Sequence, residues 1–202
     1  MGGMVESALH RSVRSLVDRD AAQANQVIQD EDRINAAEME IDRLGTRLLL
    51  LNQPVARDLR FITAALKITT DLERMGDLSV NIARRSLALM SEPAVKPLID
   101  IPRMAGLVEN MVLKCLDAFV KHDSDIAKSV LVSDDEVDQL RDSIYQELVE
   151  FMQRDPSTVG RGVNLIFVAR DLERIADHAT NIAEDVVYLV KGVEVRHRAL
   201  AE

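Results

Sequence analysis

Residues 71–86 read DLERMGDLSVNIARRS, and residues 171–186 read DLERIADHATNIAEDV. Eight of the sixteen positions are identical at an offset of 100, where unrelated sequence would give about one. Upstream the correspondence continues at an offset of 103, with Val17, Asp20, Ala24, Val27 and Ile41 recurring as Val120, Asp123, Ala127, Val130 and Ile144. The chain is a duplicated unit. The slip of three residues falls in the connection between the second and third elements of each copy.

Each copy reads as three helices. In the first, Val5, Leu9, Val13 and Leu16 form one apolar stripe that breaks near Asp18–Asp20. A second helix carries Val27, Ile34, Ile41 and Leu48 seven apart, flanked by Leu44 and Leu51, which is the seam of a bundle helix. Asn52-Gln53-Pro54 stops it, because the residue before proline avoids helical angles and proline suits a helix's first turn. The third helix runs from about Val55 to about Met90. Arg154-Asp155-Pro156 and Gly160 to Gly162 make the matching turn in the second copy. Pro93, Pro97 and Pro102 cluster between the copies and place a domain boundary near residue 95. No stretch alternates apolar and polar residues long enough for a strand. The expected architecture is all-α, with six long helices in two tandem pseudo-symmetric three-helix bundles, residues 1–95 and 96–202.

Composition agrees. Apolar residues make up 47% of the 202 and aromatics only 3%, so the core must come from aliphatic side chains, which suit closely packed helices. A net charge of −9 argues against a nucleic-acid partner, which needs a basic face to displace counterions. The single cysteine, Cys115, falls on the stripe Met104, Val108, Met111, Ala118 and reads as a core residue. No apolar run approaches the roughly 20 residues of a membrane helix, and the start lacks a signal-peptide pattern, so cytoplasm is the expected compartment.

The chemistry is concentrated on the third helices. At about 100° per residue, Leu59, Ile62, Leu66, Glu73 and Asp77 share one face, and the apolar part of that face points it inward. The second copy repeats it with Ile166, Glu173 and Asp177. A separate face of Ile68, Leu72, Met75 and Ile82 packs against another helix. Two carboxylates one turn apart on an inward face repel each other and resist desolvation. Arg74 and Arg174 adjoin the glutamates but point about 100° away. A bound cation is the other compensation, since carboxylates at i and i+4 reach one ion. The second helices supply matching acids, Glu31 and Glu38 in the first copy and Asp134 and Asp138 in the second, with Asn35 standing where the second copy has Asp138. The competing reading is a solvated acidic face. His178 beside Asp177 reads as a surface or core histidine. Glu-x-x-His pairs, a phosphate-cradling loop and a nucleophile elbow do not occur, which favours a binding or regulatory module over an enzyme.

QPVARDLRFITAALKITTDLERMGDLSVNIA (Gln53 to Ala83), followed by DLERIADHATNIAEDVVYLVKG (Asp171 to Gly192), resembles the PhoU family over essentially the whole chain. That resemblance implies a cytoplasmic negative regulator of phosphate uptake and of the phosphate-starvation response, without catalysis of its own. The implied partners are the ATPase subunit of the high-affinity phosphate transporter and a phosphate-responsive sensor histidine kinase. The chain would then meet the membrane only through them. The family's acidic E/D-x-x-x-D motifs hold metal ions and match Glu73–Asp77, Glu173–Asp177 and Asp134–Asp138. At Glu31–Asn35 an amide ends the motif, which implies a weaker first site. Iron, zinc, manganese and magnesium all suit such donors. The family pattern extends upstream of Met1, so the first helix reads as a shortened one. A homodimer is expected, and exposed basic residues are the candidate partner contacts. The rival function is a metal-storing or metal-dependent carboxylate bundle.

Overall fold

Asp20 and Asp123, which hold matching places in the two copies, each start a long helix. The Asp20 carboxylate accepts from the backbone N–H groups of Ala22 and Gln23, and Asp123 accepts from those of Asp125 and Ile126. Such caps are worth about 1 kcal/mol each. The residues just before them, Arg19 and His122, take the same left-handed conformation, with φ of 53° and 52°, and turn the chain between helices. A computed structural model describes residues 1–95 and 98–193. In chain order its helices are α1 (Gly2–Asp18), α2 (Ala21–Asn52), α3 (Ala56–Met90), α4 (Asp100–Lys121), α5 (Ser124–Arg154) and α6 (Val159–Lys191), with a 3-10 turn at Pro156–Thr158 before the last. Among the described residues there is no strand.

α1, α2 and α3 pack on one another, α4, α5 and α6 do the same, and α3 lies along α6 to join the two bundles. The inward face of α3 is the expected one, with Ile68, Leu72, Met75 and Ile82 all buried, and its echo Leu172, Ile175 and Ile182 is fully buried on α6. Buried apolar side chains of both bundles form one continuous cluster. At about 25 cal/mol per Å² of apolar surface this shared core is the main stabilising contribution. Polar contacts between α3 and α6 show the two helices to be antiparallel. Lys67 Nζ lies 3.3 Å from Asp185, His178 Nδ1 lies 2.8 Å from Asp71, and Arg85 Nε lies 3.4 Å from Asp171. Arg85 also stacks over the Phe167 ring at 4.3 Å. Burial raises the Asp171 carboxyl, with Arg85 opposing.

Two sequence expectations change. Leu44 and Leu51 do not flank a buried seam but are 54% and 65% exposed, while Ile41 and Leu48 are half-buried. Leu59, expected inward, is exposed as well, and Ile62 and Leu66 are half-buried. The reason is length, since α1 has 17 residues and α2 has 32, so the far end of the α2–α3 hairpin runs past the helix that would cover it. Pro102 lies inside the first turn of α4, where its missing N–H has no intrahelical partner to lose. Pro97 lies outside the described residues. Cys115 is buried as expected, and burial pushes its thiol up to about 12.

Candidate functional site

The acidic faces form where α2 meets α3 and where α5 meets α6. Glu73 and Asp77 sit one turn apart on α3, both half-buried. Burial lifts the Glu73 carboxyl, and the nearby charges of Asp77 and Glu38 add to the lift. Glu38 on α2 therefore joins this pair. Glu31 does not, because its carboxylate is drawn to Arg84 on α3 at 3.3 Å. Arg74, expected to point away, bends back to place Nε 3.4 Å from Glu73, although its side chain is 60% exposed. Such an exposed pair compensates little.

In the second copy the four expected acids do converge electrostatically. Asp134 is pushed up to about 6, first by burial and then by the charges of Asp177, Asp138 and Glu173. Glu173 is raised by burial and by Asp177, and Asp177 by its crowded surroundings and by Asp138, although solvent still reaches it. Each raised acid marks a charge that the fold holds against its preference for water.

Arg141 on α5 enters this group. Its guanidinium lies 3.2 Å from Glu173, 3.6 Å from Asp138 and 3.1 Å from Asp142. Motif reading missed it because the motif names acids only. The repeat offset could have found it, since Arg141 stands where the first copy has Glu38. His178 is turned toward Asp71 across the junction, so it serves the interface.

Among the described residues, no three His, Cys, Asp or Glu side chains are gathered closely enough to hold a metal ion as they stand. The donor chemistry nevertheless fits one. All candidates are carboxylates, they lie on facing helices, and Asp134 is raised to about 6 by burial first and by the neighbouring acids second. Rotation about the acids' own side-chain torsions is what a bridging cation would require.

The PhoU domain model matches residues 1–86 and again residues 101–186. This chain belongs to the PhoU family. It is 42% identical over 201 residues to the phosphate-specific transport system accessory protein PhoU homolog of Pseudomonas aeruginosa, covering 99% of this chain and 83% of that one. The homolog from Aquifex aeolicus is 40% identical over 202 residues, covering 100% of this chain and 91% of its own. Among solved structures, the crystal structure of PhoU from Pseudomonas aeruginosa superposes with a TM-score of 0.93 at 41% identity, covering 96% of this chain and 93% of that one. The phosphate transport system regulatory protein PhoU from Streptococcus pneumoniae gives 0.88 at 30% identity, with 96% and 91% covered. The family match falls once on each copy of the repeat, so the duplication seen in residues 71–86 and 171–186 is the family's own architecture in this chain. Among the described residues, no helix is long and apolar enough to cross a membrane.

Proposed function

We propose that this chain regulates a phosphate-specific transport system, repressing high-affinity uptake and the phosphate-starvation response when phosphate is plentiful. It acts in the cytoplasm, as a homodimer and without catalysis, through contacts with the transporter's ATPase subunit and a sensor histidine kinase. The observation that supports this reading is the full-length likeness, at about 40% identity, to proteins named as accessory to phosphate-specific transport. Deleting the gene should leave a starvation-responsive promoter active in phosphate-rich medium, and the wild-type gene should restore repression. Normal repression in the deletion strain would remove the claim.

The acidic faces carry a second element of the proposal. Glu73, Asp77 and Glu38 in the first bundle, and Asp134, Asp138, Glu173 and Asp177 in the second, would hold divalent or trivalent cations. A bound ion would supply positive charge that ties the second helix of each copy to the third. The raised Asp134 favours this reading over a purely solvated face. Metal analysis of protein purified without chelator tests it, and protein free of metal with an unchanged fold would refute it.

A further inference from the structure

The repeat brings two equivalent corners to opposite ends of the molecule, and they differ in what fills them. One corner is lined by Arg19, Leu89, Met90 and Arg161. The other is lined by residues at the matching positions, His122, Leu189, Val190 and Phe61. The first corner is closed by the linker after α3. Arg19 donates to the carbonyls of Leu89, Met90 and Glu92, and Arg161 donates to the carbonyl of Pro93 at 2.8 Å. Arg161 Nε also lies 3.3 Å from the Glu92 carboxylate. Val95 and Leu98 complete the wall, and about 30 Å³ of space remains. The end of α3 and the linker after it thus offer backbone carbonyls and one carboxylate, from Glu92, to two arginines.

The second corner is open, with about 700 Å³ of space. Arg57 and Arg60 line it, together with Asp58, Phe61 and His122. Neither arginine side chain has an ion-pair or hydrogen-bond partner among the described residues, and Arg60 Nε is shielded from solvent without one. Both arginines stand in the first turns of α3, where the helix dipole disfavours positive charge. The matching positions in the second copy are Ser157 and Gly160, so the helical unit itself does not require them. Phe61, Val190 and Val193 expose 41%, 40% and 48% of their surface around the opening.

We infer that this corner, walled by Arg57, Arg60, Phe61 and His122, docks an extended acidic segment of a partner protein, of the type that Glu92–Val95 presents to the opposite corner. The inference rests on the regulatory reading above and supplies its contact surface. Charge favours an acidic occupant, because two unpartnered guanidinium groups face the space in a chain whose net charge is −9. The apolar rim favours a peptide over a bare anion, since a small ion would leave Phe61 and Val190 wet. The chain's own residues from 194 on carry Glu194 and Glu202 beside Arg196, His197 and Arg198, so they are the rival occupant and their deletion is one arm of the test.

The test pairs the purified ATPase subunit and the kinase cytoplasmic region, each in turn, with wild type and with the double variant Arg57→Glu, Arg60→Glu. Acidic residues suit a helix start, so this variant should stay folded, which circular dichroism verifies. Arg154→Glu, on the matching hairpin of the second copy, is the control. At least one partner should bind wild type and the control alike, at least tenfold more weakly to the double variant, and more weakly as salt rises. A synthetic peptide of residues 91–98 should compete for wild type and shift the NMR signals of Arg57 and Arg60. Equal partner binding to the double variant would overturn the inference and leave the regulatory proposal intact. Binding of neither partner to wild type would sink that proposal, and the peptide's shifts would then decide the corner alone. Three further results would overturn the inference. They are peptide shifts that appear only after residues 194–202 are deleted, competition by inorganic phosphate as strong as the peptide's, and loss of a wild-type dimer in the double variant.

Discussion

The two acidic faces descend from one ancestral unit and have diverged at the position that decides their charge balance. In the first bundle Glu38 adds a carboxylate beside Glu73 and Asp77; in the second, Arg141 brings a guanidinium to Glu173 and Asp138. The apolar frame around both stays buried, with Met75 and Ile175 equally inaccessible one residue before Gly76 and Ala176. Both copies contribute to one continuous core, which constrains the packing face of each, whereas the polar faces differ. Asn35 in place of an acid implies a weaker first site, and the structure adds a second difference, a guanidinium already beside Glu173 in the second copy.

The largest effect comes from the frame. Met75→Ala and Ile175→Ala should each cost ~2–5 kcal/mol, because each empties a fully buried volume. Since the core is continuous, urea unfolding should show one transition displaced by either change. Two resolved transitions, each sensitive to one substitution, would show that the bundles unfold independently.

Metal should come next. A ligand selective for the native state stabilises it by about 2.7 kcal/mol at a hundredfold excess over its dissociation constant. Chelator should therefore lower the melting temperature of metal-loaded wild type by several degrees. The double change Glu173→Gln, Asp177→Asn keeps side-chain shape and should abolish the second bundle's share of bound metal. Identical melting with and without chelator, and no metal on the purified protein, would leave both faces merely solvated.

Smaller effects separate the two faces directly. In metal-free protein Arg141→Gln should destabilise by about 1–2 kcal/mol, since Glu173 and Asp138 lose their partner. Glu38→Gln should do the opposite, by about 0.5 kcal/mol, because it removes a charge that repels Glu73. Thermal melts of the two variants, compared with wild type, check the pair; the same sign in both would erase the contrast.

A pH dependence of comparable size sharpens the contrast further. Asp134 carries a folded value of about 6 against 3.8 for the free side chain. Its charge therefore opposes folding above about pH 6, and the penalty fades as pH falls through 6 toward 3.8. Melting of metal-free protein should rise between about pH 7 and 5 by an amount near 1 kcal/mol after solvent screening, and Asp134→Asn should flatten the rise. A flat wild-type profile would show that Asp134 keeps its ordinary carboxylate behaviour in the fold.

Much of this was legible in the chain alone. The six helices, the stop at Asn52-Gln53-Pro54 and the inward stripe of Ile68, Leu72, Met75 and Ile82 follow from spacing and local backbone preference. Those are short-range properties, set within a few residues of each position, and the repeat states them twice. The sequence also set out the acids Glu73, Asp77, Glu173 and Asp177, because one helical turn fixes which side chains share a face. Only the tertiary structure decided which charges meet across helices. Arg84 reaches Glu31 from another helix, Arg141 reaches Glu173, and His178 turns to Asp71, 107 residues away. It likewise decided that Leu44 and Leu51 stay exposed, since burial there depends on where α1 begins relative to α2. The open corner at Arg57 and Arg60 belongs to the same class: its walls come from three helices whose meeting no local spacing encodes.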